Sequence, residues 1–261
     1  MYIYCENIES KNIAVNLPKI SIVVPAFNEA TMLPLCLDAI QKQDYKGDFE
    51  VIIADNASTD NTVRIAQKFN AKVVYEKRRG AVYARITGFN AATGEIIAST
   101  DADTLVPIDW LTSIEIALRD QNYAGIVGAY ELNNTNTFSK KLVGSFVPYL
   151  RFIDKLVGAH FAGANFAVRR LAYIEVGGFD PSFITGEDLE LSRRLRDCGF
   201  ELKVDYKICV KTSARRLNEG LWPTMNEYVF KNWLSLVIFH RSYLKVLSVV
   251  RESPSELTDI E

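Results

Sequence analysis

Asp101 and Asp103 follow an apolar run and flank the small Ala102. At the end of a strand, two carboxylates spaced in this way point to one side. Their oxygens suit a hard divalent cation, Mn2+ or Mg2+, which in turn neutralises a diphosphate. Aspartates at strand ends also serve simply as turn residues or helix caps. A second acidic group, Thr185-Gly186-Glu187-Asp188, opens a helical pattern. The helix macrodipole alone favours acids there, and a carboxylate held in that turn can also take the proton from an alcohol. Glu190 lies deeper in the same pattern and reads as a solvated surface residue. Arg78, Arg79 and Gly80 precede another helical pattern, with Arg85 about one turn inside it. That is either a cationic anion site at a helix N-terminus or a solvated loop with snorkelling arginines. Asp55, directly after a second apolar run, can hydrogen-bond a base or ribose; the turn 55–60 can equally be a polar turn in which Ser58 or Thr59 caps a helix. His160 and His240 stand alone in sequence and read as packed or surface histidines, although His240 could complete a metal site if the C-terminal segment folds back.

These groups need a frame. Residues 20–24 form an apolar strand stopped by Pro25, and 28–41 a helix with Leu33, Cys36, Leu37 and Ile40 on one face. A strand follows at 49–54, then a helix with Thr62, Ile65, Ala66 and Phe69 on one face, a strand at 72–75, a helix from near Gly80 and a strand at 95–100. Strands apolar on both faces that alternate with helices imply a parallel sheet covered on both sides. Ligands bind such a sheet beyond the carboxyl ends of its strands. That rule gathers Pro25, Phe27, Asn28 and Glu29 with Asp55, Asp101 and Asp103 at one edge. The first turn, PAFNEA, has neither GxGxxG nor GxxxxGK[ST], so backbone cradling of phosphate by a glycine loop is excluded. Beyond residue 103 the rhythm loosens: a helix at 110–119, a strand at 124–132, a polar loop at 133–140, an amphipathic helix at 142–156, a small-residue stretch at 158–169 and a helix at 188–198.

Composition narrows the class. The 261 residues are 48% hydrophobic and 24% charged, which is globular and not disordered. Thirty Lys and Arg against thirty-two Asp and Glu give a formal charge of −2, which argues against nucleic acid as a partner. Four dispersed cysteines fit neither a zinc site nor a disulfide framework and suit reduced thiols in a cytosolic protein. The N-terminus lacks the pattern of a signal peptide, and the apolar stretch 233–239 is too short to span a bilayer. The expectation is a cytoplasmic protein, with peripheral contact at the inner face of the membrane through Trp222, Tyr228, Phe230, Trp233 and Phe239 and their neighbouring Lys231, Arg241 and Lys245 as one option. Packing of that segment on the domain, or into a homodimer, is the other.

The strings ISIVVPAFNEA, IIADNASTDNT, RRGAVYARITGFNAATGEIIASTDADT and GGFDPSFITGEDLELSRRLRDCGF come in this order from about residue 18 to 200. Together they resemble the family 2 glycosyltransferases of the GT-A fold. The resemblance implies a Rossmann-like, mostly parallel central sheet with helices on both faces, and a nucleoside-diphosphate sugar (UDP, GDP or dTDP) as donor. On this likeness Pro25, Phe27, Asn28, Glu29 and Asp55 embrace the nucleoside, and Arg78, Arg79 and Arg85 lie near the diphosphate and sugar. Asp101 and Asp103 hold Mn2+ or Mg2+, and Asp101 also lines the donor. Glu187 and Asp188 supply the base, with Asp188 the preferred one, and Gly177 to Asp180 lead to the acceptor side.

The QxxRW motif and transmembrane helices of the processive members are missing, which points to transfer of a single sugar onto a saccharide or lipid-linked acceptor, with cell-envelope glycoconjugate synthesis as the expected setting. One base and no evident nucleophile favour inversion. Arg215 and Arg216 are expected either to close over the diphosphate or to be a surface pair. The expected division is an extension at 1–17, a glycosyltransferase domain at 18–212 split into a nucleotide-sugar half (18–104) and an acceptor half (105–212), and a helical segment at 213–261. A sugar-phosphate nucleotidyltransferase and a non-catalytic binding module of the same fold are the alternatives.

Overall fold

The computed structural model describes residues 16–133 and 158–215. Residues 134–140 of the loop predicted at 133–140, the helix at 142–156, Arg216, His240 and the aromatic C-terminal segment lie outside the described residues. In the first part, β1 (Ile20–Ala26), α1 (Leu33–Gln41), β2 (Phe49–Asp55), α2 (Thr62–Lys68), β3 (Lys72–Tyr75), α3 (Ala81–Asn90) and β4 (Ile96–Ser99) alternate as predicted. Next come β5 (Thr104–Leu105), α4 (Trp110–Ala117) and β6 (Tyr123–Asn133), then β7 (Phe166–Arg169), α5 (Arg170–Glu175), α6 (Glu187–Asp197) and β8 (Glu201–Ser213).

The eight strands among the described residues share one sheet in the order β3-β2-β1-β4-β7-β6-β8-β5. The segment β3-β2-β1-β4 is parallel throughout. The other side is mixed: β7 runs antiparallel to β4 and β6, β8 parallel to β6, and β5 antiparallel to β8. Alternation along β1 explains the two cores. Ile20, Ile22 and Val24 face a cluster with Leu33, Leu37 and Ile40 of α1 and Trp110, Leu111 and Ile114 of α4. Val23 faces the opposite cluster, where Val82 and Phe89 of α3 meet Phe166, Tyr173, Phe179, Leu191 and Leu195. Phe89 packs edge-on to Phe179 with centroids 4.9 Å apart, fastening α3 to the loop before α6.

Three differences from the sequence reading have physical causes. The first helix begins at Leu33, not residue 28, because Asn28 takes a left-handed backbone (φ 53°) and residues 28–32 form a turn. Ser58 and Thr59 do not cap α2: Ser58 Oγ accepts from the Asn28 amide at 3.0 Å, and Asp60 Oδ1 instead accepts from the Thr62 amide at 2.9 Å. Glu190 is buried, and both its oxygens are held by Arg194 at 2.8 and 2.6 Å.

Candidate active site

The carboxyl ends of β1, β2 and β4 open into a cleft lined by Pro25, Phe27, Glu29, Asn56, Asp101 and Asp103, with Ala81, Ala84 and Ala102 leaving space between them. Its first wall is built from two loops locked together. Thr59 N–H donates to Asn28 Oδ1 at 2.8 Å, Glu29 N–H to Thr62 Oγ1 at 2.8 Å, and Ala30 N–H to Asp60 Oδ2 at 3.1 Å. Asp55 ends β2 directly opposite Ala26 of β1 and is buried there. Phe27 carries the Arg79 guanidinium 4.0 Å above its ring, so this predicted pair forms one cation–π unit on the wall.

The loop 76–80 is pinned from within. Arg78 donates to both oxygens of Glu76 at 3.0 and 2.8 Å and lies 4.5 Å over the Tyr83 ring. The Arg78 side chain, followed by the Arg78 amide, burial opposing, brings the Glu76 carboxyl down to about 2. Asn56 completes the lock: its Nδ2 donates to the Glu76 and Arg78 carbonyls at 3.2 and 2.6 Å, and its Oδ1 accepts from the Gly80 amide at 2.9 Å. Gly80, at φ 133°, caps α3 in a conformation L side chains rarely adopt.

Arg85 is turned inward from α3. Only 6% of it is exposed. It donates to Asp101 Oδ1 at 2.9 Å and, through its other terminal nitrogen, to Glu187. Burial disfavours its charge, but Glu187, Asp101 and Asp188 outweigh that and hold its pKa above the usual value. Gly163 lies against the guanidinium, where a Cβ would come within 2.3 Å of Nη2. One buried cation thus ties the Asp101 turn to the start of α6.

At that start, Gly186 in the left-handed region lets the chain turn into α6 with Glu187 buried and Asp188 half-buried beside it. Asp188 Oδ2 accepts from the Gly163 amide at 2.7 Å and Oδ1 from the Leu189 amide at 2.9 Å. Burial raises the Asp188 pKa despite the pull of Arg85 and those amides, and burial likewise raises that of Glu187. Across the cleft, Asp103 and Glu29 share Arg215: its guanidinium reaches both Glu29 oxygens at 2.6 and 3.3 Å and lies 3.7 Å from Asp103 Oδ2. Burial pushes the neighbouring Cys36 thiol well above its usual pKa, and Asp103, Asp101 and Glu29 all add to the rise, so the three carboxylates concentrate their negative potential on one point.

Glycosyl transferase family 2 matches residues 21–177, more than half of the chain. The chain belongs to that family. Glycosyltransferase AglE of Haloferax volcanii is 26% identical over 221 residues, covering 78% of this chain and 70% of that protein. The GalNAc(5)-diNAcBac-PP-undecaprenol beta-1,3-glucosyltransferase of Campylobacter jejuni is 27% identical over 180 residues, covering 66% of this chain but only 58% of that protein. Among solved structures, mannosyltransferase PcManGT from Pyrobaculum calidifontis, in complex with GDP-Man and Mn2+, has a TM-score of 0.63 at 26% identity over 76% of this chain and 57% of that one. Glucosyl-3-phosphoglycerate synthase from Mycobacterium tuberculosis, with Mn2+, UDP and glucosyl-3-phosphoglycerate, has a TM-score of 0.60 at 20% identity over 84% of this chain and 80% of that one. The fold is GT-A, and the enzyme class is that of a glycosyltransferase.

Within this family 2 domain the structure brings together Pro25, Phe27, Asn28, Glu29, Asp55, Arg79, Asp101, Asp103 and Arg215 around the cleft, with Arg85, Glu187 and Asp188 behind it. Arg78 turns to Glu76, and Arg216 lies outside the described residues. Sequence reasoning placed Asn56 among the candidate polar residues after the second strand but missed Glu76 and Asn165. Asn165 is buried behind the site, with Nδ2 donating to the Ala129 and Ile208 carbonyls at 2.7 and 2.9 Å and Oδ1 accepting from Trp110 Nε1 at 2.9 Å. A buried asparagine flanked by small and aromatic residues leaves no periodic signal.

Proposed function

We propose that the cleft binds a nucleoside-diphosphate sugar with a divalent metal and transfers the sugar to an acceptor hydroxyl with inversion at the anomeric carbon. The observation that carries this reading is the buried Arg85 bridge, which joins the Asp101–Asp103 turn to the acidic start of α6, so that leaving-group and proton-accepting chemistry share one site. Asp188 is the base. Glu187 is committed to Arg85 by a direct hydrogen bond, whereas among the described residues Asp188 accepts from two backbone amides and keeps acceptor capacity for a hydroxyl proton.

Among the described residues, no group of three or more His, Cys, Asp or Glu side chains is arranged to hold a metal unaided. The donor set nonetheless fits. Asp101 and Asp103 are hard oxygen ligands, and an ion of the Mg2+ type is bound by one or two carboxylates with substrate phosphates completing its shell. When bound, Mn2+ or Mg2+ would offset the charge that develops on the departing diphosphate. The chain's own residues do the rest. Phe27, Asn28 and Asp55 form the wall for the nucleoside, Arg79 stacked on Phe27 adds positive potential there, and Arg85 fixes Asp101. As the acceptor oxygen bonds to the anomeric carbon, the bond from that carbon to the diphosphate oxygen breaks and Asp188 receives the proton.

The complex of PcManGT with GDP-Man and Mn2+ supports a nucleotide-sugar donor and a divalent ion. The name of the Campylobacter jejuni relative supports a lipid-linked saccharide as acceptor and a role in envelope glycoconjugates. Among the described residues no helix is long and apolar enough to cross a membrane, and peripheral contact with a membrane is part of the proposal. Asp188→Asn tests the base: kcat falls by about 10²–10⁴ while the donor dissociation constant stays within about twofold. Near-normal turnover would remove Asp188 from this role.

A further inference from the structure

Arg215 stands two residues beyond β8, with its backbone fixed opposite the Asp101–Asp103 turn. β5 leaves that turn, and Thr104 pairs with Thr212 of β8, the two hydroxyls lying 3.0 Å apart. The Arg215 amide donates to Ser213 Oγ at 3.2 Å. From this anchor the guanidinium holds Glu29 through both oxygens and approaches Asp103 to 3.7 Å. The Glu29 and Asp103 side chains are only 11% and 13% exposed, whereas that of Arg215 is 44% exposed. The arginine head is therefore the solvent-facing member of the clasp, and the carboxylates are its buried members.

We propose that Arg215 is a resident counter-ion at the metal position, holding Glu29 and Asp103 until a divalent cation arrives, and that the two cations exclude one another. The guanidinium shares its charge between Glu29 and Asp103, and its departure releases the Asp103 carboxylate to a divalent ion. A bare metal ion must displace an arginine already in place and binds weakly. A metal ion carried on a nucleoside diphosphate brings an anion to which the displaced guanidinium can turn, so metal and diphosphate strengthen each other's binding. This inference rests on the assignment of Asp101 and Asp103 to the metal.

The test is Mn2+ titration followed by the electron paramagnetic resonance signal of the free aquo ion, with wild type, Arg215→Gln and Arg215→Lys, each alone and with GDP, UDP or dTDP. Arg215→Gln binds Mn2+ alone about fivefold more tightly than wild type, the size expected when one partly exposed ion pair no longer has to be broken. The factor by which a diphosphate tightens Mn2+ shrinks correspondingly, and Arg215→Lys falls between the two. Unchanged or weaker binding of Mn2+ alone by Arg215→Gln overturns the proposal. Asp103→Asn in the Arg215→Gln background separates this from the reading beneath it. Loss of Mn2+ there supports the shared site. Retention of Mn2+ there, or no Mn2+ binding by wild type with any of the three diphosphates, overturns the metal assignment itself.

Discussion

Replacing Arg85 by Met keeps much of the side chain's length and apolar bulk against Gly163 but removes the charge between Asp101 and Glu187. Glu187 is 4% exposed and then has no cation beside it. Removing one partner of a buried ion pair costs about 3–5 kcal/mol, a large share of the roughly 5–15 kcal/mol that stabilises a typical domain. Asp101 contributes little to this loss, because about a third of its side chain remains in water. The sign with pH follows from Glu187, whose pKa burial already raises above its ordinary 4.5 and which Arg85 holds down. Without Arg85 the folded value rises further, so the unfolded chain ionises first. The deficit of Arg85→Met relative to wild type is therefore small and flat until pH passes the wild-type folded value, itself above 4.5, and then grows by at most about 1.4 kcal/mol per unit until the variant's folded carboxyl also ionises. Urea unfolding followed by circular dichroism between pH 4.5 and 8 measures this. Adding Glu187→Gln to Arg85→Met should flatten the pH dependence and recover about 2 kcal/mol. A pH-independent deficit below about 1 kcal/mol, unchanged by the second substitution, would refute the bridge as the organiser of the site.

Three further outcomes follow from the same contacts. The acidic limb of kcat/KM lies above the ordinary aspartate value of 3.8, because burial raises the Asp188 pKa and the protonated form cannot act as base; a pH–rate profile checks the position. Glu76→Gln releases Arg78 and the loop before α3, raising the donor KM more than it lowers kcat. Its stability deficit is present above about pH 4.5 and disappears as pH falls toward 2, because the wild-type carboxyl is depressed in the folded state and its contribution is lost as it protonates; thermal melts across that range read this out. Asn165→Ala leaves the Trp110 indole N–H and two strand carbonyls without their partner and lowers stability by about 2–4 kcal/mol, measured by urea unfolding.

The parallel half was legible because β1, β4 and the second half of β2 are buried on both faces and read as apolar runs, while α1 repeats its buried residues at helical spacing. The second half was legible in part: the predicted helices at 110–119 and 188–198 and the strand at 124–132 are found as α4, α6 and β6, whereas β7 and β8 gave no readable signal. β7 has four residues within a small-residue stretch and gains its meaning only by pairing with β4, about 70 positions earlier. β8 has thirteen residues but alternates lysines with apolar side chains and carries a register shift opposite Gly128–Ala129, so its pattern breaks where the strand bends. At the site, residue types and their positions after strands identified the carboxylates that now line the cleft. Arg85 was read as a group near the diphosphate because its direction is not a composition signal. Its spacing held the clue, since Val82, Arg85 and Phe89 fall on one buried stripe of α3, which places the guanidinium inside the fold. Arg215 met Glu29, 186 positions away, through the β5–β8 pairing that neither local pattern revealed.

The most direct test of a metal-assisted nucleotide-sugar site is calorimetric titration of GDP, UDP, dTDP and CDP into the protein with Mn2+ and again with EDTA, repeated on Asp103→Asn. One nucleotide binding with Mn2+, at least tenfold more weakly with EDTA, and no more tightly than that EDTA value to Asp103→Asn whether or not Mn2+ is present, is the predicted result. Equal affinity with Mn2+ and EDTA, or Mn2+-dependent binding that survives Asp103→Asn, would contradict it.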